Sequence, residues 1–220
     1  MVITFDCYGT LIDWETGIGG WFEAAAAEEG RRLERRELLA VYAEIEPAVE
    51  AERYRSYREV LTETALRVAR RLDWPLTPAR ASGLAESLQQ WKPFPDTNPA
   101  LEKLAAAGHR LGILSNVDDD LLTATRRHLS VPFEILVTAG QVRSYKPAPG
   151  HFEEARRRIG GSRWLHAAQS HFHDVLPCRA LGIPVAWVNR KTEPARPDIR
   201  PDFEVESLAA LANHLERAAV

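Results

Sequence analysis

From about residue 110 onward, short apolar and β-branched runs alternate with segments of helical periodicity. Four of these runs predict strands, at residues 110–115, 133–137, 164–168 and 185–188. Helices are predicted between them, at residues 119–128, 150–159 and 175–181. A further strand is predicted at the start of the chain, from Val2 to Phe5. Because strands that alternate with helices pair in parallel, with helices on the faces of the sheet, the pattern predicts an α/β fold.

A long segment without strand signals separates the first strand from this alternating region. Residues 14–71 show helical spacing of their apolar side chains. Pro93 and Pro95 end the helical pattern, because proline lacks the amide hydrogen and clashes with the preceding turn. We therefore predict a core domain of residues 1–13 and 93–220, and an inserted helical domain of residues 14–92.

The composition narrows the classes of partner. The chain has 220 residues, of which 45% are hydrophobic and 27% charged, and its net charge is −3. This balance gives no electrostatic reason to expect nucleic acid or an anionic membrane, so a small molecule is the expected partner. No apolar run approaches the roughly 20 residues of a membrane span, and the start of the chain lacks a signal-peptide pattern. A cytoplasmic location is therefore expected.

Polar residues follow the predicted strands at the sheet edge where open α/β folds bind ligands. Asp6 follows the first strand, Ser115 ends the second, Lys146 lies beyond the third, and Asp174 follows the fourth. Each of them alone is equally compatible with a role in a helix cap or a turn. Because the carboxyl ends of parallel strands meet at one edge, their joint occurrence predicts a reactive site there.

Four segments, in this order along the chain, resemble the motifs of the haloacid dehalogenase superfamily. They are Asp6-Cys7-Tyr8-Gly9-Thr10-Leu11, Ser115-Asn116, Ser144-Tyr145-Lys146-Pro147, and Asp174 with the later Leu181-Gly182-Ile183-Pro184. The resemblance covers nearly the whole predicted core. It implies a hydrolase with a Rossmann-like parallel-sheet core and an α-helical cap domain inserted at residues 14–92.

The resemblance also implies roles for single residues. Asp6 is expected to attack the substrate, and Asp174 to support the hydrolytic half-reaction. Lys146 is expected to balance the charge of Asp6, because burial of an unpaired carboxylate favours its protonated, unreactive form. The other motif residues are expected to hold oxygen atoms (Thr10 and Ser115) or to contact the substrate (Tyr8, Leu11 and Asn116).

Tyr8 favours one branch of the superfamily. Phosphatases of the superfamily carry a second aspartate two residues after the nucleophile, which protonates the departing alkoxide, whereas a halide departs without a proton. The chain thus resembles the L-2-haloacid dehalogenases, which implies cleavage of a small 2-halo carboxylic acid through an aspartyl ester without metal or cofactor. A homodimer is compatible with that resemblance. The alternative is a Mg2+-dependent phosphatase or phosphonatase, with the metal on Asp6, Asp174 and the Tyr8 carbonyl.

The chain departs from the dehalogenase pattern at two places. Gln169 and His171 stand where the dehalogenases have serine and asparagine. Two alternatives are open for His171 and His173: one of them acts as a base in hydrolysis of the ester, or both have a purely structural role in the loop. The dehalogenases also hold an arginine on the first part of the insertion, but residues 39–47 contain none. We predict that the nearby Arg55 and Arg58 bind the substrate anion, although an exposed helix face explains them equally.

Overall fold

A six-stranded parallel sheet forms the centre of the protein, which a computed structural model describes for residues 1–194 and 196–217. The strands are β1 (Val2–Phe5), β2 (Arg110–Ser115), β3 (Ile135–Thr138), β4 (Trp164–Ala168), β5 (Val185–Val188) and β6 (Phe203–Val205). Their order is β3-β2-β1-β4-β5-β6, and every neighbouring pair is parallel. The α/β fold with a parallel sheet is therefore confirmed. Strands β2 and β3 lie on one side of β1, and β4, β5 and β6 lie on the other. The direction in which successive strands are added therefore reverses at β1, and open α/β sheets bind ligands beside the carboxyl end of the strand at such a point.

Helices form most of the remaining structure. Between β1 and β2 lie α1 (Trp14–Ala27), α2 (Arg35–Glu50), α3 (Tyr57–Arg71), α4 (Pro78–Ala81) and α5 (Gly83–Ser87). The other helices are α6 (Thr97–Ala106), α7 (Asp119–Thr125), α8 (Ala139–Val142), α9 (Gly150–Ile159), α10 (Leu176–Ala180) and α11 (Leu208–Arg217). A π-helical turn at His171–Val175 leads into α10. No helix in residues 1–194 and 196–217 is long and apolar enough to cross a membrane.

Some elements differ from the sequence prediction. The strand predicted at 133–137 lies at Ile135–Thr138, and α7 ends at Thr125 instead of residue 128. Strand β6 was not predicted, because it has only three residues, and it is held in the sheet by its pairing with β5. The predicted core extends to residue 220, and residues 195 and 218–220 lie outside the described residues. The predicted helix at 150–159 has the same bounds in α9.

The helical segment leaves the core and returns to it at one place. The Asp13 amide donates to the Lys92 carbonyl at 2.9 Å, and the Phe94 amide donates to the Leu11 carbonyl at 3.1 Å. The hydroxyl of Thr97 also donates to the Leu11 carbonyl. The two connections are thus joined side by side, as expected for an insertion, although the division at residues 14–92 stays a prediction.

The start of α3 is docked on the loop that follows β2. The two carboxylate oxygens of Asp118 accept hydrogen bonds from the backbone amides of Tyr57 and Arg58, each at 3.0 Å. A carboxylate at this position also interacts favourably with the positive end of the helix dipole. The hydroxyl of Tyr145 donates to the Arg55 carbonyl from the next loop of the core. These contacts hold α2 and α3 beside the carboxyl ends of β1 and β2.

Candidate active site

Three charged side chains meet at the carboxyl end of the sheet. The Nζ of Lys146 donates to Oδ1 of Asp6 at 2.9 Å and to Oδ1 of Asp174 at 2.6 Å. Its third hydrogen bond goes to the Leu114 carbonyl at 2.9 Å. All three residues are buried, and Asp174 is fully so. One buried ammonium therefore joins the two carboxylates that the sequence predicted as nucleophile and supporting acid.

The pKa values of these groups follow from burial and from their mutual charges. Burial raises the pKa of Asp6 above its usual 3.8; the Lys146 ammonium opposes this shift and the Asp174 carboxylate adds to it. Burial alone would also raise the pKa of Asp174, but Lys146 and His166 reverse the effect and hold it below its usual range. Burial alone would lower the pKa of Lys146, but its two carboxylate partners raise it. Lys146 is thus charged at neutral pH and keeps Asp174 ionised.

Thr10 fixes the second oxygen of Asp6. Its hydroxyl donates to Oδ2 of Asp6 at 2.9 Å and accepts from the backbone amide of Gln169 at 2.9 Å. The chain reaches Thr10 through Gly9, whose φ of +98° an L side chain rarely adopts. A Cβ at Gly9 would also lie 3.1 Å from the Trp14 ring nitrogen. This tight turn returns the chain toward Asp6, so both carboxylate oxygens of that residue are held by donors.

Asn116 ties the Lys146 segment to the end of β2. Its Oδ1 accepts from the Lys146 amide at 2.7 Å, and its Nδ2 donates to the Lys146 carbonyl at 3.1 Å. The neighbouring Ser115 is fully buried, and its hydroxyl has no hydrogen-bond partner in the structure. A buried hydroxyl without a partner is rare in proteins, which indicates that a bound molecule supplies the partner.

These groups line a cavity of about 200 Å³. The core contributes Asp6, Ser115, Asn116, Lys146, Gln169, Ser170, His173 and Asp174. Four aromatic rings also line it, from Tyr8, Trp14, Tyr57 and Trp91, and α2 contributes Ala43, Glu46, Pro47 and Glu50. Because this volume is below that of a typical drug-sized pocket, it suits a substrate of a few heavy atoms.

Glu46 and Glu50 are lining residues that the sequence analysis did not identify. They stand four positions apart on α2: Glu46 lies within residues 39–47, where the dehalogenases hold an arginine, and Glu50 lies just after them. Burial raises the pKa of both carboxyls. Because like charges at this spacing destabilise a helix, the presence of two glutamates on one face of α2 was the sequence signal that could have indicated a functional role.

Comparison with known proteins identifies the family. Residues 1–168 match the haloacid dehalogenase-like hydrolase family. The chain belongs to this family. An (S)-2-haloacid dehalogenase from Pseudomonas sp. (strain YL) is 30% identical over 224 residues, which cover 99% of this chain and 95% of that protein.

Two solved structures show the same fold. The L-2-haloacid dehalogenase from Xanthobacter autotrophicus has a TM-score of 0.85 at 20% identity, with 98% of this chain and 99% of that chain covered. The magnesium-bound HAD-hydrolase YfnB from Bacillus subtilis has a TM-score of 0.78 at 17% identity, with 97% of each chain covered. The family match over residues 1–168 and the 30% identical relative confirm the resemblance to the haloacid dehalogenase superfamily, and the protein is a hydrolase of this family.

Several residues that the sequence analysis predicted to contact the substrate do not reach the cavity. Arg58 forms an exposed salt bridge with Asp120, because α3 turns Tyr57, Val60 and Leu61 inward instead. Arg55, in the loop before α3, pairs with Glu52. The side chain of Leu11 is fully buried in the core. The Nε2 of His171 contacts the Ile199 carbonyl at 3.0 Å, and its ring packs on Trp187. The structure therefore corrects these four predicted contacts, and places His173 at the cavity instead of His171.

The donor set does not favour a divalent metal. In the alternative prediction, Mg2+ binds to Asp6, Asp174 and the Tyr8 carbonyl, but Oδ1 of both carboxylates accepts from Lys146. In residues 1–194 and 196–217, no group of three or more His, Cys, Asp or Glu side chains could hold a metal ion. Mg2+ prefers six oxygen ligands in octahedral geometry, and here an ammonium already supplies positive charge between the carboxylates. Metal independence stays a prediction.

Proposed function

We propose that the protein hydrolyses a small 2-halo carboxylic acid through an ester on Asp6, without metal or cofactor. The observation that carries this proposal is the environment of Asp6. Its carboxylate is held by Lys146 and Thr10, and no second carboxylate stands at position 8 to protonate a leaving group. The hydroxyl of Tyr8 is hydrogen-bonded to Thr125 at 2.8 Å, and burial raises its pKa well above 10.0. A leaving group that needs no proton, such as a halide, fits this arrangement.

In the first step, a carboxylate oxygen of Asp6 attacks carbon 2 of the substrate. A carbon–oxygen bond forms as the carbon–halogen bond breaks, and the halide leaves with the electron pair. Lys146 keeps Asp6 ionised in a buried site, and its bonds with Asp174 and Leu114 fix its position. The product of this step is an ester between the protein and the substrate.

In the second step, water attacks the carbonyl carbon of the Asp6 ester. The 2-hydroxy acid departs with the original Asp6 oxygen, and the carboxylate is restored with one oxygen from water. His173 lines the cavity, and burial lowers its pKa to about 4, so its imidazole is neutral at pH 7 and a weak base that accepts a hydrogen bond from the attacking water. One hydrogen of the water goes to the departing oxygen of the 2-hydroxy acid, and the other is released to solvent as a proton. Asp174 remains ionised and holds Lys146 in place during this step.

The helical segment is proposed to act as a cap over this chemistry. Trp14, Ile18 and Trp91 lie near the two connections to the core and line the cavity together with α2. Exclusion of bulk water strengthens the electrostatic interactions inside the site and protects the ester until the hydrolytic step. The proposed cap comprises residues 14–92.

An assay panel tests the proposed function. Purified protein, in EDTA or in Mg2+, is given each enantiomer of 2-chloropropionate, fluoroacetate and p-nitrophenyl phosphate, and release of halide and of phosphate is measured. We expect halide release in EDTA and no phosphate release. Phosphate release that requires Mg2+, without any halide, would overturn the proposal in favour of the phosphatase alternative.

Thr10→Val is expected to lower kcat by about 10- to 100-fold, because it removes both hydrogen bonds of the hydroxyl, to Asp6 and from the Gln169 amide. The volume of the side chain is conserved, so the fold should be retained. Thr10→Ser keeps the hydroxyl and serves as the matched control, with a kcat close to that of the wild type. The measurement is halide release at saturating substrate, and an unchanged kcat in Thr10→Val would contradict the assigned role.

Arg58→Ala is expected to leave kcat/KM for halide release within about twofold of the wild type. Arg58 lies in an exposed salt bridge with Asp120 and does not line the cavity. Exposed ion pairs contribute little free energy, so stability should also change little. A loss of more than tenfold in kcat/KM would show that the side chain reaches the substrate after all.

A further inference from the structure

Acidic side chains outnumber basic ones in the lining of the cavity. Four carboxyl groups line it, from Asp6, Glu46, Glu50 and Asp174. Among the described lining residues, Lys146 is the one lysine, and there is no arginine. Burial raises the pKa of Glu46 and Glu50, and a cation bound beside them would favour their ionised form, whereas an anionic group there would be repelled.

The single ammonium in the cavity has no hydrogen left for the substrate. A lysine ammonium has three N–H donors, and those of Lys146 are used by Asp6, Asp174 and the Leu114 carbonyl. His173 adds no positive charge at neutral pH, because burial lowers its pKa to about 4. Lys146 and His173 thus supply no free cation to the part of the cavity that Glu46 and Glu50 line.

The two glutamates on α2 are held in fixed positions by neutral donors. Oε1 of Glu46 accepts from the hydroxyls of Tyr42 at 2.9 Å and Tyr57 at 2.7 Å. The Glu50 carboxylate accepts from Nδ2 of Asn116, at 3.2 Å from Oε2, and its side chain is only 7% exposed. Nε2 of His173 lies 3.8 Å from Oε2 of Glu50, but its ring is neutral at pH 7, so the two oriented carboxyl groups remain open to a donor such as an ammonium group.

Two further observations point to a bound molecule in the same cavity. Oγ of Ser115 and Oδ2 of Asp174 are buried, lack hydrogen-bond partners and belong to residues that line the cavity. Aromatic rings from Tyr8, Tyr57 and Trp91 share that lining. Ring faces attract organic cations, and unpartnered buried oxygens are satisfied by donors such as N–H.

We propose that Glu46 and Glu50 bind a protonated amine on the substrate, so that the preferred 2-halo acid carries an ammonium group beside its reacting carbon. This substrate class rests on the proposed function. The ammonium donates to the glutamates while carbon 2 faces Asp6. The halide leaves as before, and the amine takes no part in the bond changes.

A matched pair of substrates tests this class. 3-Amino-2-chloropropanoate and 2-chlorobutanoate differ only by an ammonium in place of a methyl group. We expect kcat/KM for chloride release to be at least about 30-fold higher for the amino compound, since a hydrogen bond to a charged group favours it. Glu50→Gln should reduce this preference to about threefold or less. Glu52→Gln is the matched control: it pairs with Arg55 and Arg67 outside the cavity, and it should leave the preference unchanged.

Each outcome separates the two proposals. Equal or faster release from 2-chlorobutanoate would overturn the ammonium site and leave the dehalogenase function standing. Chloride from neither compound would overturn the function itself. In that case, calorimetric binding of the product analogues 3-amino-2-hydroxypropanoate and 2-hydroxybutanoate still tests the site, because binding needs no turnover. Equal affinity for the two would then also reject the ammonium site.

A second inference concerns a buried hydrogen-bond chain behind Asp174. The indole Nε1 of Trp164 lies 2.8 Å from Oγ1 of Thr4, which lies 2.8 Å from Nδ1 of His166. Nε2 of His166 lies 3.0 Å from Oδ1 of Asp174. Thr4 and His166 are fully buried. The chain thus runs from the start of β4 across β1 to the candidate active site.

The direction of each hydrogen bond follows from the donor at the start of the chain. An indole nitrogen can only donate, so Oγ1 of Thr4 accepts from Trp164. The Thr4 hydroxyl hydrogen then has one partner in the described structure, Nδ1 of His166. The geometry assigns His166 the tautomer with its proton on Nε2, and this nitrogen donates to Asp174. Thr4 and His166 are therefore positioning residues for the Asp174 carboxylate.

Nitrogen NMR of histidine-labelled protein tests the tautomer directly. In the wild type we expect a proton on Nε2 of His166 and none on Nδ1. Thr4→Val should remove this preference and lower kcat about tenfold with KM little changed, and Thr4→Ser should restore both. A proton on Nδ1 of His166 in the wild type would overturn the assignment, whether or not the variants fold.

Discussion

Replacement of Lys146 with methionine is expected to lower kcat for halide release by at least about 1,000-fold. The side chain is 1% exposed and its ammonium is the shared partner of Asp6 and Asp174. Without it, burial would raise the pKa of Asp6 further, and the protonated carboxyl is a poor nucleophile. The measurement is halide release under saturating substrate, together with circular dichroism to establish that the variant is folded.

The same variant should be less stable. Removing one member of a buried ion pair leaves the other charge uncompensated, which typically costs about 3–5 kcal/mol of unfolding free energy. Lys103→Met is the matched control, since Lys103 pairs with Glu216 at the surface and should affect neither property. Wild-type turnover in Lys146→Met would show that Asp6 needs no cationic partner.

Replacement of Asp6 with asparagine is expected to abolish turnover, with a loss of at least about 10,000-fold in kcat, because the amide cannot form the ester. Its stability should change in the opposite direction from that of Lys146→Met. The Asp6 pKa is raised in the folded protein, so the ionised carboxylate makes the fold less stable. Active-site residues often carry such a cost to stability.

The pH dependence of this effect has a defined sign. Below the unfolded pKa of about 3.8, Asp6 is protonated in both states and contributes no difference between the wild type and Asp6→Asn. As pH rises through the unfolded and then the raised folded pKa, the wild type loses stability relative to the variant. Denaturant unfolding should therefore show a higher free energy of unfolding for Asp6→Asn than for the wild type at pH 7, and no difference at pH 3. A variant less stable than the wild type at pH 7 would contradict this account.

Much of the fold could be predicted because local pattern and tertiary context agree. β1 is a run of β-branched and aromatic residues that is buried on both faces, and the run ends where Asp6 begins. α9 was predicted with the same bounds because its apolar face has a clear helical period. Since the carboxyl ends of parallel strands share one edge, the strand prediction alone placed Asp6, Ser115 and Asp174 together.

The parts that could not be predicted depend on how distant segments pack. Contacts with α3 determine which face of α2 is turned toward the core. The periodicity of the α2 sequence alone therefore could not predict that Glu46 and Glu50 line the same cavity as Asp6. The same packing turns Arg58 outward. The π-helical turn at 171–175 also has no sequence signature of its own, and it leaves His173 at the cavity and His171 against Trp187.

A single turnover in heavy-oxygen water tests the central claim most directly. Enzyme in excess over 2-chloropropionate is allowed one turnover in H2 18O, and mass spectrometry then locates the isotope in the peptide that contains Asp6 and in the product. The ester route predicts one heavy oxygen in the Asp6 carboxylate and an unlabelled 2-hydroxy acid, because the product leaves with the original oxygen of Asp6. A labelled product with an unlabelled Asp6 would mean that water attacks the substrate directly, and would contradict the account.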